Sequence, residues 1–226
     1  MQTVEYAPGR LADLVGDADR RAVLIWHGQQ SNARAAVRPL AELVAGHGLA
    51  VVAPDWNSHA ADGGRDDLLR SVEFARQQAP DPDALVLVGW SLGGAAAAGL
   101  TAQASRHGLR FAHTVCLAGA FMVPDPITGK QPAAWLTDAQ NRSPFTLLHG
   151  VADHAVPLQA SRDFASALEQ NGWPVELAEL AADHGSIAGA SYDPVADRYS
   201  AGRDRDTLAV AADVAARIAA AAGIEF

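Results

Sequence analysis

Six short apolar runs, which alternate with segments of helical patterning, most constrain what this chain can fold into. They predict strands at residues 21–26, 49–53, 84–89, 111–118, 145–149 and 175–180. The runs are almost continuously apolar, as in strands that helices cover on both faces. The alternation of strand and helix therefore predicts an α/β fold with an open, doubly wound, mostly parallel sheet of about six to seven strands.

The segments between these runs predict five helices, at residues 32–47, 62–79, 92–107, 158–171 and 205–222. The second helix has acidic residues at its start and Arg70 and Arg76 later, which is the polarity that the helix dipole favours. Gly108, Gly172 and Gly223 follow the last three helices, where a C′ glycine commonly ends a helix.

The length of 226 residues fits a single domain, which we assign to residues 1–226. Once the strands and helices are counted, too few residues remain for a separate cap domain. The longest stretch without a regular pattern is residues 119–143, rich in Pro, Asp and Gly. A loop of that length is usually functional, so we predict a lid or substrate loop there.

The charge balance limits the partners that this chain can have. Lys plus Arg is 17 and Asp plus Glu is 26, which gives a net charge of -9. That sign argues against binding to nucleic acid or to anionic lipid. The N-terminal residues lack a basic region followed by an apolar one, so we expect no secretory leader and a cytoplasmic location.

Residues 84–105 contain no charged side chain, which at first suggests a membrane span. Four glycines and Ser91 interrupt this stretch, and its pattern changes from strand to helix at Ser91. We therefore expect a central strand and a buried helix here, with no membrane span.

The turn between that strand and helix carries the candidate nucleophile. Gly89-Trp90-Ser91-Leu92-Gly93 matches the pattern G-x-S-x-G, in which a strained strand-to-helix turn holds a serine hydroxyl out of the sheet. The N-terminus of the following helix favours the oxyanion that forms during attack. We predict that Ser91 is a nucleophile, against the alternative of an ordinary turn serine.

A serine hydroxyl needs a base that a carboxylate orients, and in this architecture the acid and then the histidine follow the serine in the chain. Asp153 comes just after the strand at 145–149, and His184 just after the strand at 175–180. We predict Asp153 as the acid and His184 as the base. Asp55, which precedes the serine, and Asp125 are weaker alternatives for the acid.

The oxyanion hole requires a backbone N–H just after the nucleophile and another from the loop after an earlier strand. Leu92 is the first by position, and Gln29 is our choice for the second, with Gln30 as the alternative. His27, in the same loop, is expected to shape the turn.

Two tryptophans follow predicted strands at the same edge of the sheet. Trp56 and Trp90 are candidate substrate-binding residues, and ordinary packing is the alternative for each.

The sequence offers no pattern for a metal or a cofactor. Cys116 is the only cysteine and stands in an apolar run, so we expect a buried thiol. There is no H-E-x-x-H, and no G-x-G-x-x-G follows a strand. We therefore expect chemistry without a metal or cofactor.

These motifs together resemble the α/β-hydrolase family. They are His27-Gly28, Gly89-Trp90-Ser91-Leu92-Gly93, His149-Gly150 with Asp153 and Val156-Pro157, and Asp183-His184-Gly185. The resemblance runs from about residue 21 to the C-terminus and is strongest to small carboxylesterases and dienelactone-hydrolase-like members. Ser91 stands where the dienelactone hydrolases themselves carry a cysteine. The N-terminal segment leaves little room for the family's first hairpin, so we expect a sheet that is reduced at that edge.

The resemblance and the residues imply a serine hydrolase that cleaves small carboxylic esters through an acyl-enzyme, with a small-molecule ester as its partner. The same three residues would also serve a thioesterase, an amidase or peptidase, or a carbon–carbon bond hydrolase. A non-catalytic binding protein of this fold is an alternative from a different class.

Overall fold

A computed structural model describes residues 1–138 and 141–224 of the chain. Its main sheet has eight strands in the order β1-β2-β4-β3-β5-β6-β7-β8. The strands are β1 (Gln2–Ala7), β2 (Arg10–Val15), β3 (Ala22–Trp26), β4 (Ala50–Pro54), β5 (Val86–Trp90), β6 (His113–Leu117), β7 (Phe145–Gly150) and β8 (Val175–Leu180). Strands β3 to β8 are parallel to one another, as the sequence predicts.

The centre of the sheet explains why the predicted strands are continuously apolar. Every residue of β3 and of β5 is buried. Val23 and Ile25 pack on one side of β3, whereas Leu24 and Trp26 belong to a second cluster on the other side. Apolar side chains on both faces are what a strand between two helical layers requires.

Five α-helices cover the two faces: α1 (Arg38–Gly46), α2 (Arg65–Gln78), α3 (Leu92–Ala102), α4 (Leu158–Gln170) and α5 (Arg205–Ala221). Helices α1 and α5 contribute to one apolar cluster, and α2, α3 and α4 contribute to the clusters on the opposite face. The fold is thus the predicted doubly wound α/β sheet.

The helix ends carry the charged residues and the glycine that the sequence predicts, although some boundaries differ by a few residues. Helix α2 has Asp66 and Asp67 in its first turn and Arg76 in its last. Helix α3 ends at Ala102, earlier than predicted, and a 3₁₀ turn continues to a left-handed Gly108.

The expectation of a reduced N-terminal edge is wrong. Strands β1 and β2 form an antiparallel hairpin, and β2 pairs antiparallel with β4, so the sheet has eight strands and not six or seven. Gly9, with φ of 72°, allows the tight turn between the two strands. Two strands and a short turn need few residues, and the segment before β3 provides them.

A second hairpin, which the sequence analysis did not predict, follows the loop after β8. Its strands β9 (Ala190–Asp193) and β10 (Arg198–Ala201) pair antiparallel with each other and form a separate two-stranded sheet. Both strands are short and half of their residues are exposed, so they lack the apolar runs that identified the others.

The uncharged residues 84–105 contain β5 and α3, the central strand and a buried helix, as expected. Within the described part of the chain, no helix is both long enough and apolar enough to cross a membrane.

Candidate active site

Parallel sheets present ligand sites outside the carboxyl ends of their strands, where the strand order reverses. Here the chain passes from β3 to β4 on one side, then returns across β3 to β5. Ser91 lies between β5 and α3, at this reversal. Its backbone has φ of 57° and ψ of -119°, a conformation that costs a non-glycine residue of the order of 1–3 kcal/mol.

Close backbone packing explains the glycines that flank Ser91. A Cβ on Gly89 would lie 2.1 Å from the carbonyl oxygen of Gly93, and a Cβ on Gly93 would lie 2.4 Å from that of His27. The Ser91 N–H donates to the Leu117 carbonyl at 2.9 Å. The turn is therefore fixed from both sides, and its strain is held by the surrounding strands.

His184 and Asp153 lie on the loops that follow β8 and β7. The Nδ1 of His184 is 2.7 Å from the Oδ2 of Asp153. The other carboxylate oxygen of Asp153 accepts from the N–H groups of Ala155 and Val156, both at 2.8 Å. A carboxylate held at both oxygens fixes the orientation of the imidazole that it contacts.

His149, at the end of β7, is a fourth member of this group that the sequence analysis gave no separate role. Its Nε2 lies 3.0 Å from the Val156 carbonyl and 3.4 Å from the Oδ2 of Asp153. Both neighbours are acceptors, so Nε2 carries the proton, and Nδ1 accepts from the Ser161 hydroxyl at 2.7 Å. The side chain is fully buried, which makes these partners obligatory.

Burial alone would raise the pKa of Asp153. Hydrogen bonds from His149, His184 and the Val156 amide outweigh that penalty and hold the pKa below its usual value of 3.8. Asp153 is therefore an anion at neutral pH, the state that can stabilise a positively charged His184.

The loop after β3 lies against the serine. A Cβ on Gly28 would lie 3.1 Å from the Cβ of Ser91. The Gln30 N–H donates to the Gly28 carbonyl at 2.8 Å, whereas the Gln29 N–H has no backbone acceptor among the described residues. Leu92 is the first residue of α3, and such N–H groups have no acceptor within their own helix.

His27 is buried and holds the same loop in place. Its Nδ1 donates to the Gly28 carbonyl at 2.8 Å, and its Nε2 accepts from the N–H groups of Ala33 and Trp56 at 3.1 and 3.3 Å. Its contacts are those of a residue that shapes the turn, as predicted.

Burial gives two histidines a measurable effect on stability. It lowers the pKa of both His27 and His113 from 6.5 to about 4. As the pH falls below 6.5, these two histidines therefore become protonated in the unfolded chain while they remain neutral in the folded one. Their contribution to stability is complete above pH 6.5 and is lost as the pH falls towards 4, by up to about 3 kcal/mol each.

We expect His113→Gln to flatten this dependence. Its free energy of unfolding, measured by urea titration at several pH values, should fall less between pH 6.5 and 4 than that of the wild type. His154→Gln replaces an exposed histidine and should reproduce the wild-type slope. An unchanged slope in His113→Gln would contradict this account.

A cavity of about 320 Å³ connects these elements. It is lined by the serine, the histidine and the candidate N–H donors together with apolar side chains: Gly28, Gln29, Gln30, Trp90, Ser91, Leu92, Ala120, Met122, Val123, Ala155, Val156, His184 and Tyr199. The structure thus brings Ser91 and His184 to one cavity, with Asp153 behind the histidine.

The two candidate substrate-binding tryptophans lie in different places. Trp90 lines the cavity, and its Nε1 donates to the His184 carbonyl at 2.8 Å. Trp56 is fully buried and is not part of the cavity wall. Its ring stacks on that of His27, with 5.2 Å between the ring centroids. Trp56 therefore packs in the core.

Part of the predicted lid, residues 119–143, belongs to the cavity wall. Met122 and Val123 line the cavity and are 40% and 38% exposed. Phe121 points the other way and stacks on Phe164 of α4 at 4.2 Å. The last residues of the segment include 139 and 140, which lie outside the described residues.

The alternative acids have other partners. Asp55 accepts from the backbone and the guanidinium of Arg34. Asp125 accepts from the N–H groups of Ile127 and Thr128 at 2.9 and 2.8 Å and organises its own loop. Neither makes a hydrogen bond to His184 within the described residues.

Cys116 is buried, and burial raises the pKa of its thiol, as expected for a core residue. Among residues 1–138 and 141–224, no three His, Cys, Asp or Glu side chains are grouped so that they could hold a metal ion.

The profile of the alpha/beta hydrolase family matches residues 23–225, and the chain belongs to this family. No curated protein sequence gives a significant match.

Several solved structures have the same fold. A thermophilic esterase from the planctomycete Thermogutta terrifontis with bound propionate is similar with a TM-score of 0.74 and 20% identity, over 99% of this chain and 94% of that one. Esterase 2 of the same organism phosphoramylated by tabun gives a TM-score of 0.74 and 20% identity, over 99% and 95% of the two chains. The native esterase gives 0.67 and 22% identity, over 82% and 83%.

Proposed function

We propose that this protein is a serine hydrolase that cleaves small carboxylic esters with Ser91, Asp153 and His184. The observation that carries the proposal is the 2.7 Å contact between His184 Nδ1 and Asp153, made by an imidazole that lines the same cavity as the strained Ser91. A buried anion behind a histidine is the arrangement that activates a serine hydroxyl.

In this mechanism Nε2 of His184 takes the proton of Ser91 Oγ while the oxygen attacks the ester carbonyl. The C–O bond to the alcohol then breaks, and His184 gives its proton to the leaving oxygen. Water, deprotonated by His184, then attacks the acyl-serine; the bond between the acyl carbon and Ser91 Oγ breaks, His184 returns the proton to Oγ, and the acid is released. Asp153 remains ionised throughout and stabilises the imidazolium.

The N–H groups of Leu92 and Gln29 are proposed to hold the oxyanion. Gln30 is a poorer donor because its N–H already donates to Gly28. One such donor typically contributes about 3–4 kcal/mol to stabilisation of the transition state.

Two observations support a small ester as substrate. The cavity of about 320 Å³ is near the lower end of the range for ligand pockets. The similar esterase from Thermogutta terrifontis was solved with bound propionate, the carboxylate that hydrolysis of a propionate ester would release.

A fluorophosphonate probe tests the nucleophile directly. We expect the folded protein to form a covalent adduct with loss of fluoride, at one probe per chain, and peptide mass spectrometry to locate it on Ser91. Protein unfolded in urea should not react, because attack requires His184 beside the hydroxyl. A folded protein that remains unlabelled, or is labelled elsewhere, would contradict the proposal.

A further inference from the structure

A second cavity, of about 490 Å³, adjoins the one that contains Ser91. The two share Ala155, His184 and Tyr199 in their walls. Neither the serine nor the candidate oxyanion donors line the second cavity, which is bounded instead by Asp183 and Tyr192. His184 therefore separates an acyl-transfer cavity from a neighbouring space that has no evident role in the attack.

The chemistry of ester cleavage gives that space an occupant. The imidazole that takes the serine proton must return it to the leaving alcohol oxygen, so the alcohol lies within hydrogen-bond reach of His184. The acyl group is held on the other side, where its carbonyl oxygen meets the oxyanion donors. The leaving oxygen itself lies beside Ser91, and the neighbouring cavity that His184 lines without the serine has room for the carbon group attached to that oxygen.

One side of this cavity is formed by the rings of Tyr192 and Tyr199. Tyr199 lies 5.7 Å from the His184 ring and 4.9 Å, edge on, from Trp90, measured between ring centroids. The ring of Tyr192 lies 5.0 Å from that of Tyr199 and is tilted by 50°. Tyr192 is 50% exposed, although its hydroxyl already donates to Asp197. An exposed ring whose polar end is satisfied offers its face to a ligand.

Gln30 fixes this wall in position. Its carboxamide accepts from the Tyr199 N–H and donates to the Tyr199 carbonyl. The same residue donates its own N–H to Gly28 in the loop beside Ser91. The hairpin of β9 and β10 is therefore tied to the loop that carries the candidate oxyanion donor, and the rings of Tyr192 and Tyr199 are held at a set distance from the reacting centre.

We propose that this second cavity is the binding site for the alcohol moiety, and that it favours flat aromatic alcohols that pack on Tyr192 and Tyr199. The proposal rests on the ester hydrolysis proposed above. It assigns the preference for the alcohol moiety to the hairpin, whereas Met122 and Val123 of the predicted lid line the cavity that contains Ser91.

The test compares three acetates, which share one acyl-enzyme and differ only in the alcohol: benzyl, cyclohexylmethyl and ethyl acetate. All three release a primary alcohol, and benzyl and cyclohexylmethyl alcohol have similar size but differ in flatness. The readout is kcat/KM, because it reports the step that releases the alcohol and is independent of deacylation. We expect the wild type to favour benzyl over cyclohexylmethyl acetate by about tenfold.

Variants of Tyr192 separate the ring from other effects. Tyr192→Ala should lower kcat/KM for benzyl acetate by about tenfold and for ethyl acetate by much less, so that most of the preference is lost. Tyr192→Phe keeps the ring and should retain the preference. Val195→Ala, at a 95% exposed position on the same hairpin, should behave as the wild type.

Two results would overturn the subsite while leaving ester hydrolysis intact: equal kcat/KM for the two bulky acetates, or a loss in Tyr192→Ala that is as large for ethyl as for benzyl acetate. If the wild type hydrolyses none of the acetates and Ser91 is not labelled by fluorophosphonate, the proposed function itself fails.

Discussion

Replacing Ser91 by alanine is expected to lower kcat for p-nitrophenyl acetate by at least about 10⁴-fold. The variant loses the atom that attacks the carbonyl, and a serine triad without its nucleophile keeps only the contribution of binding and of the oxyanion donors. Initial rates, corrected for the uncatalysed reaction, give the measurement. Ser166→Ala, on the exposed face of α4, is the matched control and should retain full activity.

Ser91→Gly adds a second measurement at the same position. Glycine adopts φ of 57° without the penalty that serine has, so this variant should be as inactive as Ser91→Ala and more stable than the wild type by about 1 kcal/mol. Urea unfolding gives the free energy. Residual turnover close to wild type in either variant would show that Ser91 is not the nucleophile, whatever the stability.

Much of the candidate active site could be predicted from the sequence, because short segments of the chain determine its parts. The strained turn at Ser91 requires small residues at Gly89 and Gly93, and a short motif records that requirement. Once the strands β7 and β8 are recognised, the positions of Asp153 and His184 follow, because the carboxyl ends of parallel strands lie at the same edge of a sheet.

Residues that lie outside continuous apolar runs were harder to recognise. The hairpin of β9 and β10 has four-residue strands in which half of the residues are exposed, so neither length nor hydrophobicity identified it. Tyr199 depends on a contact with Gln30, 169 residues away in the chain, which no local pattern encodes. The sequence did contain one signal for this hairpin: Tyr192 and Tyr199 lie on either side of a turn that includes Asp193 and Pro194.

Trp56 and His149 show the same limit within the core. The sequence places Trp56 after a strand, close to the edge that holds the site, but the direction of its side chain is set by packing on His27. His149 stands near the end of a fully buried strand, and a buried histidine there needs polar partners. That requirement signals a role, although the partner Asp153 emerges only from the folded loop.

Asp153→Asn is expected to lower kcat by about 10⁴-fold, close to the effect of removing the serine, although it changes one oxygen to an NH₂ group. The amide cannot stabilise an imidazolium, and its NH₂ favours the His184 tautomer with the proton on Nε2, which cannot accept from Ser91. KM should change little, because Asp153 does not line the cavity. The measurement is kcat and KM for p-nitrophenyl acetate across pH.

Asp125→Asn is the matched control, since it makes the same change at a buried aspartate that also follows the serine and should keep activity within a few-fold. Stability gives an independent check. The pKa of Asp153 is lower in the folded protein than the usual 3.8, so its contribution to the free energy of unfolding is present above pH 3.8 and is lost as the pH falls below it. The stability difference between wild type and Asp153→Asn should therefore shrink in acid.

If Asp125→Asn proved the inactive variant and Asp153→Asn the active one, the acid would lie on the loop after β6, and the contact between His184 and Asp153 would be structural.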